Sequence, residues 1–136
     1  MSIILTEGQS GDNPQLLPLI EQIRVKTPGP GRPRSRPDEI RADKAYSHPS
    51  TREALRAKRI KFTSPERSDQ VARRQAKGSA GGRPVGFDAE SYKGRNVVER
   101  CFNRFKQFRD LSTRYAKRAA YYAAELMLAS TVLWLR

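Results

Sequence analysis

The sequence predicts an α/β domain, and three observations carry that prediction. Short β-prone runs at Ser2–Thr6, Glu39–Ala45 and Ile60–Thr63 alternate with segments of helical periodicity, the order expected of a sheet covered by helices. A length of 136 residues suits one domain. The second half, in turn, carries a helical segment with distinct polar and apolar stripes.

Taken in order, Ser2–Thr6 alternates too little for an edge strand and suits a short buried one. Glu7–Pro14 holds Gly8, Gly11 and the Asp12-Asn13-Pro14 turn signal, with Asp12 or Asn13 as a helix cap. Leu16, Leu17, Leu19, Ile20 and Ile23 then repeat at helical spacing up to about Val25. Thr27–Pro37, with four prolines, two glycines and three arginines, is a basic flexible loop. Glu39–Ala45 reads as a strand running into Asp43. Ser50 or Thr51 is expected to cap a helix to about Arg59, with Glu53 completing a capping box from Ser50.

After the strand at Ile60–Thr63, the stretch 64–86 has little to bury: Lys77, four arginines and a Gly-Ser-Ala-Gly-Gly run. It reads as a second basic loop, disordered without a partner and able to fold onto a phosphate backbone. Asp88 caps a long helix from about Ala89 to Arg109, and a short connection at 114–118 leads into an apolar terminal helix. That last segment, Ala119–Leu135, has one charge in seventeen residues. It lies at the short limit for a membrane span, but Glu125, Ser130, Thr131 and two tyrosines favour a helix packed on the rest of the domain.

Charge names a partner. Lys and Arg number 27 against 14 Asp and Glu, a formal charge of +13. Such an excess opposes compaction and implies a polyanion, with nucleic acid favoured over an acidic membrane. Arg outnumbers Lys, which suits forked contacts to phosphate. Cys101 and His48 are the sole residues of their types, so neither an intrachain disulfide nor a zinc-ligand cluster forms, and a cytoplasmic, reducing setting is expected. Cys101 lies on the apolar edge of its helix and reads as a small core residue.

The long helix holds the most informative pattern. At about 100° per residue, Tyr92, Arg95, Glu99 and Lys106 project to about 0°, 300°, 340° and 320°, so one acid sits between a phenol and two cations. Val97, Val98, Cys101, Phe102, Phe105 and Phe108 fall between about 140° and 280°, beside that stripe. A second acid, Asp43, stands at a predicted strand end in Ala42-Asp43-Lys44-Ala45-Tyr46. Carboxylates on a strand end and a helix are what a magnesium site requires, and paired ions serve phosphodiester chemistry. The bland readings are ordinary: helical ion pairs for the stripe, since Arg95 and Glu99 are four apart, and a turn residue for Asp43.

Together these residues resemble a family. Tyr92, Arg95, Glu99 and Lys106, at that spacing, match the signature around the catalytic glutamate of bacterial insertion-sequence transposases of the DDE type. Ala42–Tyr46 looks like their second-aspartate motif, and Gly94–Arg100 and Thr113–Tyr115 look like their tail. The resemblance implies a ribonuclease-H-like fold, Mg2+, and DNA cleavage followed by strand transfer. It makes Asp43 and Glu99 the second and third metal-binding acids, expected to approach one another, and Tyr92, Arg95 and Lys106 DNA-positioning residues. Transposon ends and target DNA are the implied partners, with room for a homo-oligomer.

The departure from the family pattern is the first acid. The resemblance places it on a strand before Ser2–Thr6, and neither Glu7 nor Asp12 matches it. Residues 1–136 are therefore expected to be the C-terminal part of a transposase catalytic domain, with little activity alone. Two other readings stand beside this one: a non-catalytic basic nucleic-acid-binding protein, and a small membrane-associated protein anchored by Ala119–Leu135.

Overall fold

A computed structural model describes residues 2–135, and the chain falls into two compact units. One comprises Gln9–Gly94. The other comprises Ile3–Gly8 with the chain from Arg95 onward.

The first unit begins with a 3-10 turn, Asn13–Gln15, leading into α1 (Leu16–Glu21), which buries Leu16 and Ile20 one turn apart. The helix stops short of Val25 because that residue is diverted. Val25 and Arg34 exchange both backbone hydrogen bonds at 2.8 Å, an antiparallel bridge that closes the base of the Pro/Gly-rich arm. Gly29, at φ +104°, supplies a conformation within that arm which side chains disfavour.

Strand β1 (Glu39–Arg41) is shorter than the expected 39–45. Asp43 ends it by capping a 3-10 turn at Lys44–Tyr46 with its own carboxylate. Helix α2 (Pro49–Ala57) starts with Pro49 in its first turn, where the missing N–H costs nothing. Its cap is His48, not Ser50 or Thr51: the imidazole Nδ1 accepts from Ser50 N at 3.3 Å. Arg59, at φ +55°, turns the chain into β2 (Lys61–Thr63). The strands pair in parallel, Glu39 opposite Lys61, Ile40 opposite Phe62 and Arg41 opposite Thr63, with α2 as the crossover. The core lies beneath: Leu16, Ile20, Leu55 and Ile60, with Ile23, Ile40, Tyr46 and Phe62 packed around them.

Within 64–86, read from sequence as a loop, the chain forms helix α3 (Ser68–Ala76) and a 3-10 turn at Gly78–Gly81. Gln70 and Arg74 anchor it. Gln70 Nε2 donates to the Ser47 carbonyl at 3.2 Å, and Arg74 pairs with Glu66 where both side chains are mostly buried. Gly81 lies so close over the Arg74 carbonyl that a methyl there would collide with it.

The single helix expected over 89–109 is interrupted. Asp88 does cap α4 (Ala89–Lys93), accepting from Ser91 N at 2.9 Å, but α4 ends before Gly94. Helix α5 (Asn96–Phe105) follows, and Phe108, in an extended conformation, separates it from α6 (Arg109–Thr113). Glycine is a poor helix former, which accounts for the first break.

In the second unit α7 (Ala119–Trp134) is apolar on all sides, yet buries only Ala129 and Ser130. No side chain of α5 is buried either. Val97, Val98 and Phe102 are exposed and Cys101 is half-buried, so Cys101 is not the core residue expected. Ser2–Thr6 does not form the expected strand. Instead Ile3 and Leu5 line an apolar hollow with Ala119, Ala120, Ala123 and Met127, where small side chains leave room beside α7. Among the described residues no helix is long and apolar enough to cross a membrane.

Candidate functional site

Asp43 stands just beyond the C-terminal end of β1, in the first unit. Its Oδ1 accepts from Ala45 N at 2.8 Å, and its carbonyl accepts from the buried Ser64 hydroxyl at 2.8 Å. Backbone and side chain are thus both held where strand turns to 3-10 helix. The Tyr46 phenol nearby is harder to ionise than usual, first because it is partly buried and then because Asp12 and Asp43 repel its phenolate.

Tyr92 lies on α4 of the same unit, its ring 5.2 Å from that of Phe87. Beside it runs a polar network that sequence reading missed, centred on Glu39. Glu39 Oε1 accepts from the Ser91 hydroxyl at 2.6 Å and from Thr63 Oγ1 at 2.8 Å. Its Oε2 accepts from Arg41 Nη2 at 2.8 Å. Lys61 Nζ lies 3.3 Å from Glu39 Oε1 and 3.0 Å from Asp88 Oδ2. The Ser91 and Thr63 hydrogen bonds hold the Glu39 carboxyl down at about 2, against a smaller opposing effect of desolvation, with Arg41 and Lys61 adding to the lowering. The signal was present in the sequence: Glu39 and Arg41 are two apart on a strand, so they share a face.

Arg95, Glu99 and Lys106 belong to the second unit. Arg95 immediately precedes α5 and Lys106 immediately follows it, and the three fall within about 40° of one another around its axis. Arg95 Nη2 lies 2.6 Å from Glu99 Oε1, the i,i+4 pair that the spacing implies. The structure therefore aligns these three, while Asp43 and Tyr92 stand in the other unit.

A comparison with protein families decides what family the chain belongs to. The transposase DDE domain family matches residues 1–135. The chain belongs to that family. A role in transposition follows, and members of the transposase DDE domain family generally use divalent metal ions and act on DNA. Comparisons with curated proteins and with solved structures gave no match. Among the described residues, neither unit gathers three or more His, Cys, Asp or Glu side chains as metal ligands. One oxygen of Asp43 is already engaged by Ala45 N, and one of Glu99 by Arg95. Neither unit by itself therefore fits a complete metal centre.

Proposed function

We propose that this transposase DDE-domain chain is part of an insertion-sequence transposase with a ribonuclease-H-like catalytic domain, and that it binds DNA. In the complete protein it takes part in DNA cleavage and strand transfer. Asp43 and Glu99 are the second and third acids of the catalytic set, with Mg2+ the expected ion, and Tyr92, Arg95 and Lys106 position DNA. The observation carrying this reading is the Tyr92-Arg95-Glu99-Lys106 spacing within a family match over residues 1–135. The alignment of Arg95, Glu99 and Lys106 on one side of α5 supports it, as does the placing of Asp43 at a strand end. The competing reading, a basic protein that merely coats phosphate, accounts for the Arg95–Glu99 pair as an ordinary helical ion pair but not for the Tyr92-Arg95-Glu99-Lys106 spacing within the family match.

The test is DNA binding followed by activity. Affinity of the 136-residue chain for duplex DNA should fall about a hundredfold or more between roughly 50 and 200 mM salt if about five phosphates are neutralised. Affinity flat across that range would refute the DNA-binding role. The chain alone should neither nick nor join DNA bearing transposon ends with magnesium or manganese, since no residue in it matches the first acid. Supplying an upstream segment with an aspartate-bearing strand should restore cleavage. In that protein Glu99→Gln should abolish cleavage and spare binding, whereas Lys106→Ala should weaken both. Metal-dependent cleavage by the chain as it stands would show that the first acid is misassigned.

A further inference from the structure

We propose that Glu39 is a positioning residue, clamping the helix that bears Tyr92 to the strand that runs into Asp43. The inference rests on the reading of Tyr92 as a DNA-positioning residue and extends it to a residue outside the family signature.

Helix α4 needs such a clamp. It has five residues, none of them buried, and its one aromatic, Tyr92, is half-buried against Phe87 just ahead of the cap, so apolar packing alone gives it little hold. An isolated helix that short does not persist in water. What holds it to the sheet is polar. Ser91 donates its hydroxyl to Glu39 Oε1 at 2.6 Å and accepts from Arg41 Nε at 2.9 Å. Glu39 in turn fixes Arg41 through Oε2. One turn farther along, Gly94 lies against the Arg41 guanidinium so closely that a methyl would collide with Nη1. On the second strand, Lys61 reaches Asp88, the cap of α4. Both strands therefore grip the helix, and the Glu39 carboxylate bonds to Ser91, Thr63 and Arg41 together. The Glu39 side chain is only 17% exposed, so water competes weakly for these bonds.

Hydrogen exchange on the 136-residue chain decides the clamp. Glu39→Gln and Ser91→Ala should each speed exchange of the Ser91, Tyr92 and Lys93 amides at least about tenfold while the α2 amides around Leu55 keep their protection. Ser91→Thr, which retains the hydroxyl, should preserve protection at α4. Equal acceleration in α2 and α4, or none at α4, would overturn the proposal. A double-mutant cycle on DNA affinity then asks whether Glu39 acts through Tyr92. Glu39→Gln should weaken binding about threefold in the wild-type background and cause no further loss in Tyr92→Ala. Equal losses in both backgrounds would overturn the positioning role. If Tyr92→Ala alone leaves affinity unchanged, the DNA role of Tyr92 falls, and the exchange pattern still decides whether the clamp exists.

Discussion

At the scale of single residues, the Glu39 carboxylate ties stability to acidity. Its folded pKa is lowered from an ordinary 4.5 to about 2, chiefly by Ser91 and then Thr63. A depressed carboxylate contributes stability that is full above the unfolded pKa and is lost as pH falls through the folded one. Wild-type resistance to urea should therefore decline as pH drops from about 4.5 to about 2, and Glu39→Gln should flatten much of that decline. A residual slope is expected from Asp88, which the Ser91 N–H and then Lys61 also hold below its usual value. Equal slopes in the two proteins would contradict the network. His48 gives a second residue-level expectation. With Nδ1 accepting from Ser50, it caps α2 in place of the hydroxyls that sequence reading favours. Replacing it with alanine should cost about 1 kcal/mol in chemical denaturation, and His48→Asp should recover most of that loss. Hydroxyls are common caps and imidazoles uncommon, so the local sign for His48 was its neighbour: Pro49 suits the first helical position, which makes the residue before it the cap.

Among the elements, β1, α2 and β2 were legible in outline because turn residues bound them and helical spacing lies between, although β1 stops at Arg41 and the cap of α2 is His48. Asp43 and Glu99 were legible as candidates because a motif names residues without needing tertiary structure. Helix α3 was not, since its composition is basic and poor in apolar residues. Its support comes from Gln70 reaching Ser47 and from Arg74 pairing with Glu66, contacts that periodicity does not register. The run Ser2–Thr6 failed in the opposite sense: it has strand composition, but among the described residues it pairs with no strand. The tight seat of Gly81 over Arg74 makes α3 testable. Gly81→Ala should force backbone apart there and cost about 1–3 kcal/mol, read as a lower urea midpoint and weaker helical circular dichroism. An unchanged midpoint would mean that the turn at Gly78–Gly81 does not hold α3.

For the molecule as a whole, a charge of +13 is distributed over two units, of which the first has the compact apolar core and the second exposes Phe102, Leu128 and Trp134. Composition points to a polyanion partner, in line with a family whose members act on DNA. The boundary near Gly94, by contrast, is hidden by helical periodicity that runs through it, with the glycine itself the one local sign of a break. The parallel pair β1–β2 carries a last consequence. Among the described residues the sheet has two strands, so it is all edge: each strand is paired along one flank alone. Ile40 and Phe62 are spent on the core, which leaves Glu39, Arg41 and Lys61 on the opposite face. These charges discourage a foreign strand from docking alongside. Replacing Arg41 and Lys61 together with valine should make the protein self-associate through those flanks, seen as rising light scattering at concentrations where the wild type stays dispersed. The residues that steady α4 would then also be the ones that keep the sheet from growing between molecules.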